Sequence, residues 1–223
     1  MVTLRVSSVA KDRSGSDPDK GLGKTRLEAL SDGVFAIAMT LLVLDLRLPE
    51  SIPGGVIHIS TVKALAPAFF GFVLTFILAG AFWYLHHVTI HNLKYVTRGV
   101  AMINIVFLMF VSLLPFSTSL LPRLGPQNSV AQVVYFANQL ALSLMLNVIW
   151  WFAGRHDLLI TPIADPRARF MIRVQPLCCI AAIVTAFVSP PASYYVFLFG
   201  MLIGRRVASR RFRPLSVNAP APL

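Results

Sequence analysis

Charge is what this sequence has least of: Asp, Glu, Lys and Arg make up 13% of its 223 residues, and only nine residues are acidic. A soluble domain carries about 25% charged residues, so an ordinary water-facing surface is excluded. Cysteine is equally scarce. The two present, Cys178 and Cys179, are adjacent, and neighbouring cysteines rarely bridge each other. No spacing suits zinc, an iron–sulfur cluster or haem, which leaves both thiols as small core or lipid-facing residues. Residues 1–25 hold no apolar run and no cleavage site, so they do not read as a secretory signal peptide. They are polar and basic and predict a disordered tail, as does the closing "SVNAPAPL". No Asn-x-Ser/Thr sequon occurs, which suits a prokaryotic inner membrane.

What is present is hydrophobic: 56% of the residues, at a mean hydropathy of +0.71. The apolar runs predict six membrane spans, at 27–48, 62–86, 96–120, 129–153, 170–189 and 191–208, in an all-α polytopic membrane protein. Pro and Gly punctuate four of the five junctions: "LPESIPGG", "LLPRLGPQNS", "ADPRAR" and "VSPPAS". The connections are short, so 26–208 forms one bundle between a tail at 1–25 and another at 209–223. The last two spans are short, and a re-entrant hairpin is the other reading of "VSPPAS". The net charge of +11 fits the positive-inside rule better than it fits nucleic acid. With both termini in the cytoplasm, seventeen of the 20 Lys and Arg lie inside, against Arg47, Lys63 and Arg123 outside. The basic residues alternate between loops and make no single patch.

The first span poses a question. Its uninterrupted apolar core, Gly33 to Leu44, covers about 18 Å at ~1.5 Å per residue, short of a ~30 Å hydrocarbon layer. To cross, the helix must carry Ser31 and Asp32 on one side and Asp45 on the other. An unpaired carboxylate there costs ~2.5–3.5 kcal/mol or more, so Asp32 needs a partner or water. A helical wheel places Arg26, Leu30, Val34, Ile37, Thr40, Leu41, Leu44 and Leu48 along one stripe, with Ser31 and Asp32 pointing away. Two plainer accounts stand beside this: Ser31 and Asp32 as a helix N-terminal cap, and the stripe as ordinary packing.

The stretch "RLEALSDGVFAIAMTLLVLDL" resembles the signature first helix of the transmembrane protein 175 family: Arg, three residues, Phe-Ser-Asp, then an Ile/Ala/Thr/Leu-rich run. "FWYLHH" is similar to that family's second-helix Trp, two residues, His, at Trp83 and His86. "MINIVFLMFVSLLPFSTSLL" is similar to its third-helix Asn with a later Leu-Pro-Phe turn, at Asn104, Pro115 and Phe116. The three motifs fall in order over the first three spans; the last three match only in hydropathy. Leu30 departs from the pattern, which has Phe there.

The resemblance implies a potassium channel. The short, single-repeat members assemble as homotetramers with the first helix lining a central pore. Four copies of Ile37 would then form a dry collar, extended by Leu41 and Leu44, able to gate by dewetting. Thr40, the one hydroxyl on the stripe, would hold water or partly hydrated K⁺. No Thr-Val-Gly-Tyr-Gly loop occurs, so selectivity would be modest and water-mediated. Arg26, Ser31 and Asp32 would join Trp83, His86 and Asn104 in a polar network that holds the pore helix in place and binds no ion. Asp45 and Glu50 at the outer end would concentrate cations. His87 and His91 share a helix face as a metal pair would, but no third ligand is evident; a pH sensor is the other use of the cluster. No cofactor is expected beyond K⁺ as the permeant ion, and the partners are further copies of the chain and the lipid. An intramembrane hydrolase would need a second acid, or a Ser with a base, so no enzyme is expected. The rival readings are a secondary transporter, which usually shows internal repeats not evident here, and a proton-permeable channel.

Overall fold

The computed structural model describes residues 23–46, 59, 63, 65–125, 127–160 and 166–212. The two expected tails, apart from their inner ends, lie outside the described residues, as do Arg47, Leu48, Glu50 and the Asp45 side chain.

Among the described residues seven α-helices form the bundle: α1 (Lys24–Leu41), α2 (Ala66–His91), α3 (Arg98–Ser112), α4 (Leu114–Leu124), α5 (Ser129–Arg155), α6 (Pro166–Val188) and α7 (Pro190–Arg211). A short 3-10 turn, Leu42–Asp45, extends α1. Helices α3 and α4 continue one another as a single rod interrupted at Leu113. Pro115 has no N–H and its ring collides with the carbonyl four residues back, so the helix restarts around it. The rod that the sequence predicts as one span is therefore two helices. Thr97 starts α3 by accepting the Val100 N–H, and Asn128 starts α5 by accepting that of Ala131. Gly125, at φ 83°, ends α4 in a conformation glycine adopts without strain.

Among the described residues five rods are long and apolar enough to cross a membrane: Lys24–Leu44, Ala66–His91, Arg98–Leu124, Ser129–Arg155 and Pro166–Val188. The last helix, α7, has 22 residues and is long enough, but Arg205, Arg206, Arg210 and Arg211 crowd its end. Helices α6 and α7 run 23 and 22 residues on either side of the "SPP" corner, about 33 Å each. That is a helical hairpin whose arms match the thickness of a ~30 Å hydrocarbon layer. The second span begins and ends later than its hydropathy predicts, because the histidines 86, 87 and 91 continue the helix instead of closing it.

Helix α1 packs against α2, α3 and α4, while α6 packs against α5 and α7. Phe35, Ala38, Phe82, Phe107, Val111 and Leu146 knit α1, α2, α3 and α5 into one apolar core. Around Tyr135, Phe136, Cys179 and Phe197 a second core joins α5, α6 and α7. Both cysteines are buried and free. A Cβ at Gly200 would come within 2.8 Å of the Cys178 sulfur, so α6 and α7 touch where one has no side chain.

At the end of the bundle where α1 begins, Lys94 N donates to Leu158 O and Ile160 N to Asn92 O, pairing the α2–α3 loop with the α5–α6 loop. A Lys94–Asp157 ion pair at 3.4 Å adds to it, exposed and so contributing little.

Candidate functional site

The faces of α1 divide cleanly. Leu27, Ser31, Phe35, Ala38 and Leu42 are buried, following the i, i+4, i+7 spacing of one helical side. The opposite half is uncovered in the single chain: Leu30, Ile37, Leu41 and Leu44 are 50%, 62%, 42% and 58% exposed. Val34, the remaining aliphatic of the expected stripe, is partly buried against the core. Thr40 is exposed, and its hydroxyl donates to Ile37 O at 2.8 Å, so its oxygen presents only lone pairs outward. Beside the aliphatics lies a strip of small exposed residues, Ala29, Gly33 and Ala36.

On the buried side a chain of hydrogen bonds ties three helices together. The His86 Nε2–H donates to Asn104 Oδ1 at 2.6 Å. Asn104 Nδ2 donates to Ser31 Oγ at 3.2 Å, and Ser31 Oγ to Leu27 O at 2.9 Å. Each donor meets an acceptor, and Ser31, His86 and Asn104 are all at most 2% exposed. The carbonyl acceptor on Asn104 requires the proton on Nε2, which fixes the imidazole tautomer. The Phe107 ring lies parallel to His86 at 5.0 Å and Phe35 flanks them both, so apolar rings seal this chain from competing water.

Asp32 sits one residue along, at the exposed edge, where the Trp83 indole N–H donates to Oδ1 at 2.8 Å. His87 stacks on Trp83 and His91 on His87, each at 5.9 Å. Among the described residues no group of three His, Cys, Asp or Glu could hold a metal ion.

The structure thus brings Ser31, Asp32, Trp83, His86 and Asn104 together at the α1–α2–α3 junction. Arg26 is not among them: it is exposed, and none of these bonds involves its side chain. The cation that ties α1 to its neighbour is Lys24 instead, whose Nζ donates to His91 O at 2.6 Å and Leu93 O at 3.2 Å. There it meets the carbonyl end of α2, the negative pole of that helix.

Sequence reasoning missed a second polar layer. Thr118 Oγ1 donates to Thr75 Oγ1 at 3.0 Å, and Thr75 and Tyr135 share a bond at 3.1 Å. Asn138 Nδ2 reaches Ser117 Oγ at 3.3 Å, Ser193 pairs with Gln132, and Trp150 Nε1 donates to Thr89 Oγ1 at 2.8 Å. Gln132, Tyr135, Gln139, Ser143 and Asn147 recur every three or four residues along α5, and that spacing was the available signal. Such bonds hold membrane helices together where hydrophobicity cannot.

These features define a multi-pass helical membrane protein whose first helix is polar-bonded on one side and apolar and uncovered on the other. The family described as "Endosomal/lysosomal potassium channel TMEM175" matches the chain over residues 26–115. A protein of Streptomyces collinus named a potassium channel is 34% identical over 154 residues, covering 67% of this chain and 74% of that one. A potassium channel of Chamaesiphon minutus is 36% identical over 143 residues, 63% of this chain and 70% of the other. The crystal structure of "a lysosomal potassium-selective channel TMEM175 homolog" from that organism superposes with a TM-score of 0.70 at 29% identity, over 83% of this chain and 97% of that one. The chain belongs to the TMEM175 family.

Proposed function

We propose that four copies of this chain assemble around a four-fold axis in the cell membrane, both termini in the cytoplasm, and conduct potassium through a pore lined by α1. The observation that carries this reading is the division of α1. One half is held by buried bonds and packing, and the other, which includes Ile37, Leu41 and Leu44, stays roughly half uncovered in the single chain. The names of the bacterial relatives support potassium as the ion.

The proposed conduction path follows from the helix. Ile37, Leu41 and Leu44 span about 10 Å along the axis, and four copies form an apolar throat that dewets when narrow. The backbone carbonyls of this stretch serve the helix itself, so no carbonyl ring strips the ion. Thr40 supplies the oxygen ligand: with its proton held by Ile37 O, four copies present lone pairs to a cation and its water. Selectivity then rests on partial hydration, and is modest.

The test is reconstitution of the purified full chain in planar bilayers under K⁺/Na⁺ bi-ionic conditions. Resolvable unitary currents with a reversal potential favouring K⁺ are expected. Transport without unitary events indicates a carrier, and a reversal potential that follows only the pH gradient indicates a proton pathway.

A further inference from the structure

Between the end of α5 and the start of α6 lies a cavity of about 680 Å³. Arg155, Arg169 and Arg173 line it together with Trp150, Trp151 and Gly154, and none of the described lining residues is acidic. The Arg155 guanidinium lies over the Trp151 ring at 5.0 Å and that of Arg169 over Trp150 at 5.9 Å. Gly154 leaves the floor open: a Cβ there would meet nothing within 4 Å.

Positive-inside topology accounts for arginines at these helix ends, but not for three of them converging on one aromatic-walled hollow. Three guanidinium groups around a single cavity offer donors to the several oxygens of one anion. Guanidinium forks match phosphate oxygens in pairs, and the two stacked indoles hold two of those forks in place. The position decides what carries the phosphate. Arg155 is the last residue of α5 and Arg169 the fourth of α6, so the cavity lies at the level of lipid head groups. Trp151, 59% exposed, sits where interfacial tryptophans sit. Basic pockets between membrane helices recognise anionic head groups by these means.

We infer that the α5–α6 cavity of each subunit binds the phosphate of an anionic phospholipid through Arg155, Arg169 and Arg173. The acyl chains would lie along the outer faces of α5 and α6, with exposed Leu177 and Ile180 as their bed.

The inference is tested by native mass spectrometry of the purified full chain titrated with phosphatidylglycerol or phosphatidylcholine. Four proteins are compared: the unaltered chain; Arg169→Gln with Arg173→Gln; Gly154→Leu, which fills the cavity and keeps every charge; and Arg205→Gln with Arg206→Gln, which removes equal charge from α7. The inference requires about one phosphatidylglycerol per subunit on the unaltered and α7-altered proteins, and no retained phosphatidylcholine. Retention should weaken roughly thirtyfold without Arg169 and Arg173, at the rate expected for two cations near a head group, and fall similarly in Gly154→Leu. Equal weakening by the two arginine pairs overturns the inference, since diffuse charge then suffices. Undiminished binding in a normally eluting Gly154→Leu protein also overturns it. Displacement of the lipid by millimolar inorganic phosphate would assign the site to a soluble anion and overturn the lipid.

Discussion

The indole N–H of Trp83 on α2 meets the Asp32 carboxylate on α1 at 2.8 Å, and one turn deeper the imidazole of His86, on the same helix as Trp83, reaches Ser31 through Asn104. Two adjacent residues of α1 are thus gripped by two residues of α2 one turn apart. Together they fix the rotation of α1, and with it the direction in which Ile37 points.

Loss of the outer grip has a definite signature. Trp83→Phe keeps a ring for His87 to stack on but leaves Asp32 without its donor, and Asp32→Ala frees α1 from α2. Each is expected to reduce the assembled fraction in native size distributions, with Asp32→Ala failing to fold or assemble. In a double-mutant cycle of Asp32→Asn, whose amide oxygen still accepts, with Trp83→Phe, the coupling reads the charged excess of the bond, about 1 kcal/mol or less. A normally assembled, conducting Asp32→Ala protein contradicts this role.

The inner grip is more costly to break. Asn104→Ala orphans the His86 N–H and the Ser31 oxygen together in the buried interior, at roughly 1–3 kcal/mol for each group. Ser31→Ala orphans one Asn104 N–H alone. Thermal denaturation in detergent should therefore rank Asn104→Ala below Ser31→Ala. The reverse order would mean that Asn104 does not bridge the two.

Gly33 and its small neighbours Ala29 and Ala36 are uncovered in the single chain, and a Cβ at Gly33 meets nothing within 4 Å. Gly33→Leu should leave the helical content of the subunit unchanged while shifting mass photometry from tetramer to monomer. A Gly33→Leu protein that remains tetrameric shows that this strip faces lipid.

At the proposed throat, Ile37→Asn introduces amides that wet the collar and should raise unitary conductance. Thr40→Ala removes the outward lone pairs and should move the K⁺/Na⁺ reversal potential toward zero. A smaller current in the first, or unchanged selectivity in the second, removes that residue from its assigned part.

The bundle was largely legible because apolar run length is a strong signal: all six predicted spans correspond to helical rods. The break at Leu113 follows from Pro115, whose effect on a helix is local. The α2 boundary was not legible, because histidines end a hydropathy window without ending a helix. Nor was the full role of α5: the regular spacing of Gln132, Tyr135 and Gln139 is diluted by their apolar neighbours, and the partners of α5 on α2, α4 and α7 lie far along the chain. The partners of Asp32 and His86 lie 51 and 18 residues away, beyond any local pattern, and came from family resemblance. That route placed Arg26 in the network, whereas the geometry leaves Arg26 exposed and ties Lys24 to the end of α2, a contact no spacing rule foretells.

Cadmium block of thiols introduced on α1 measures the axis directly, in a Cys178→Ala, Cys179→Ala background. With four copies of Ile37→Cys at a common centre, micromolar Cd²⁺ is expected to silence the current, while Met102→Cys, 62% exposed on α3, is expected to conduct unimpeded. A tetrameric, conducting Ile37→Cys channel indifferent to Cd²⁺ would place some other surface around the pore.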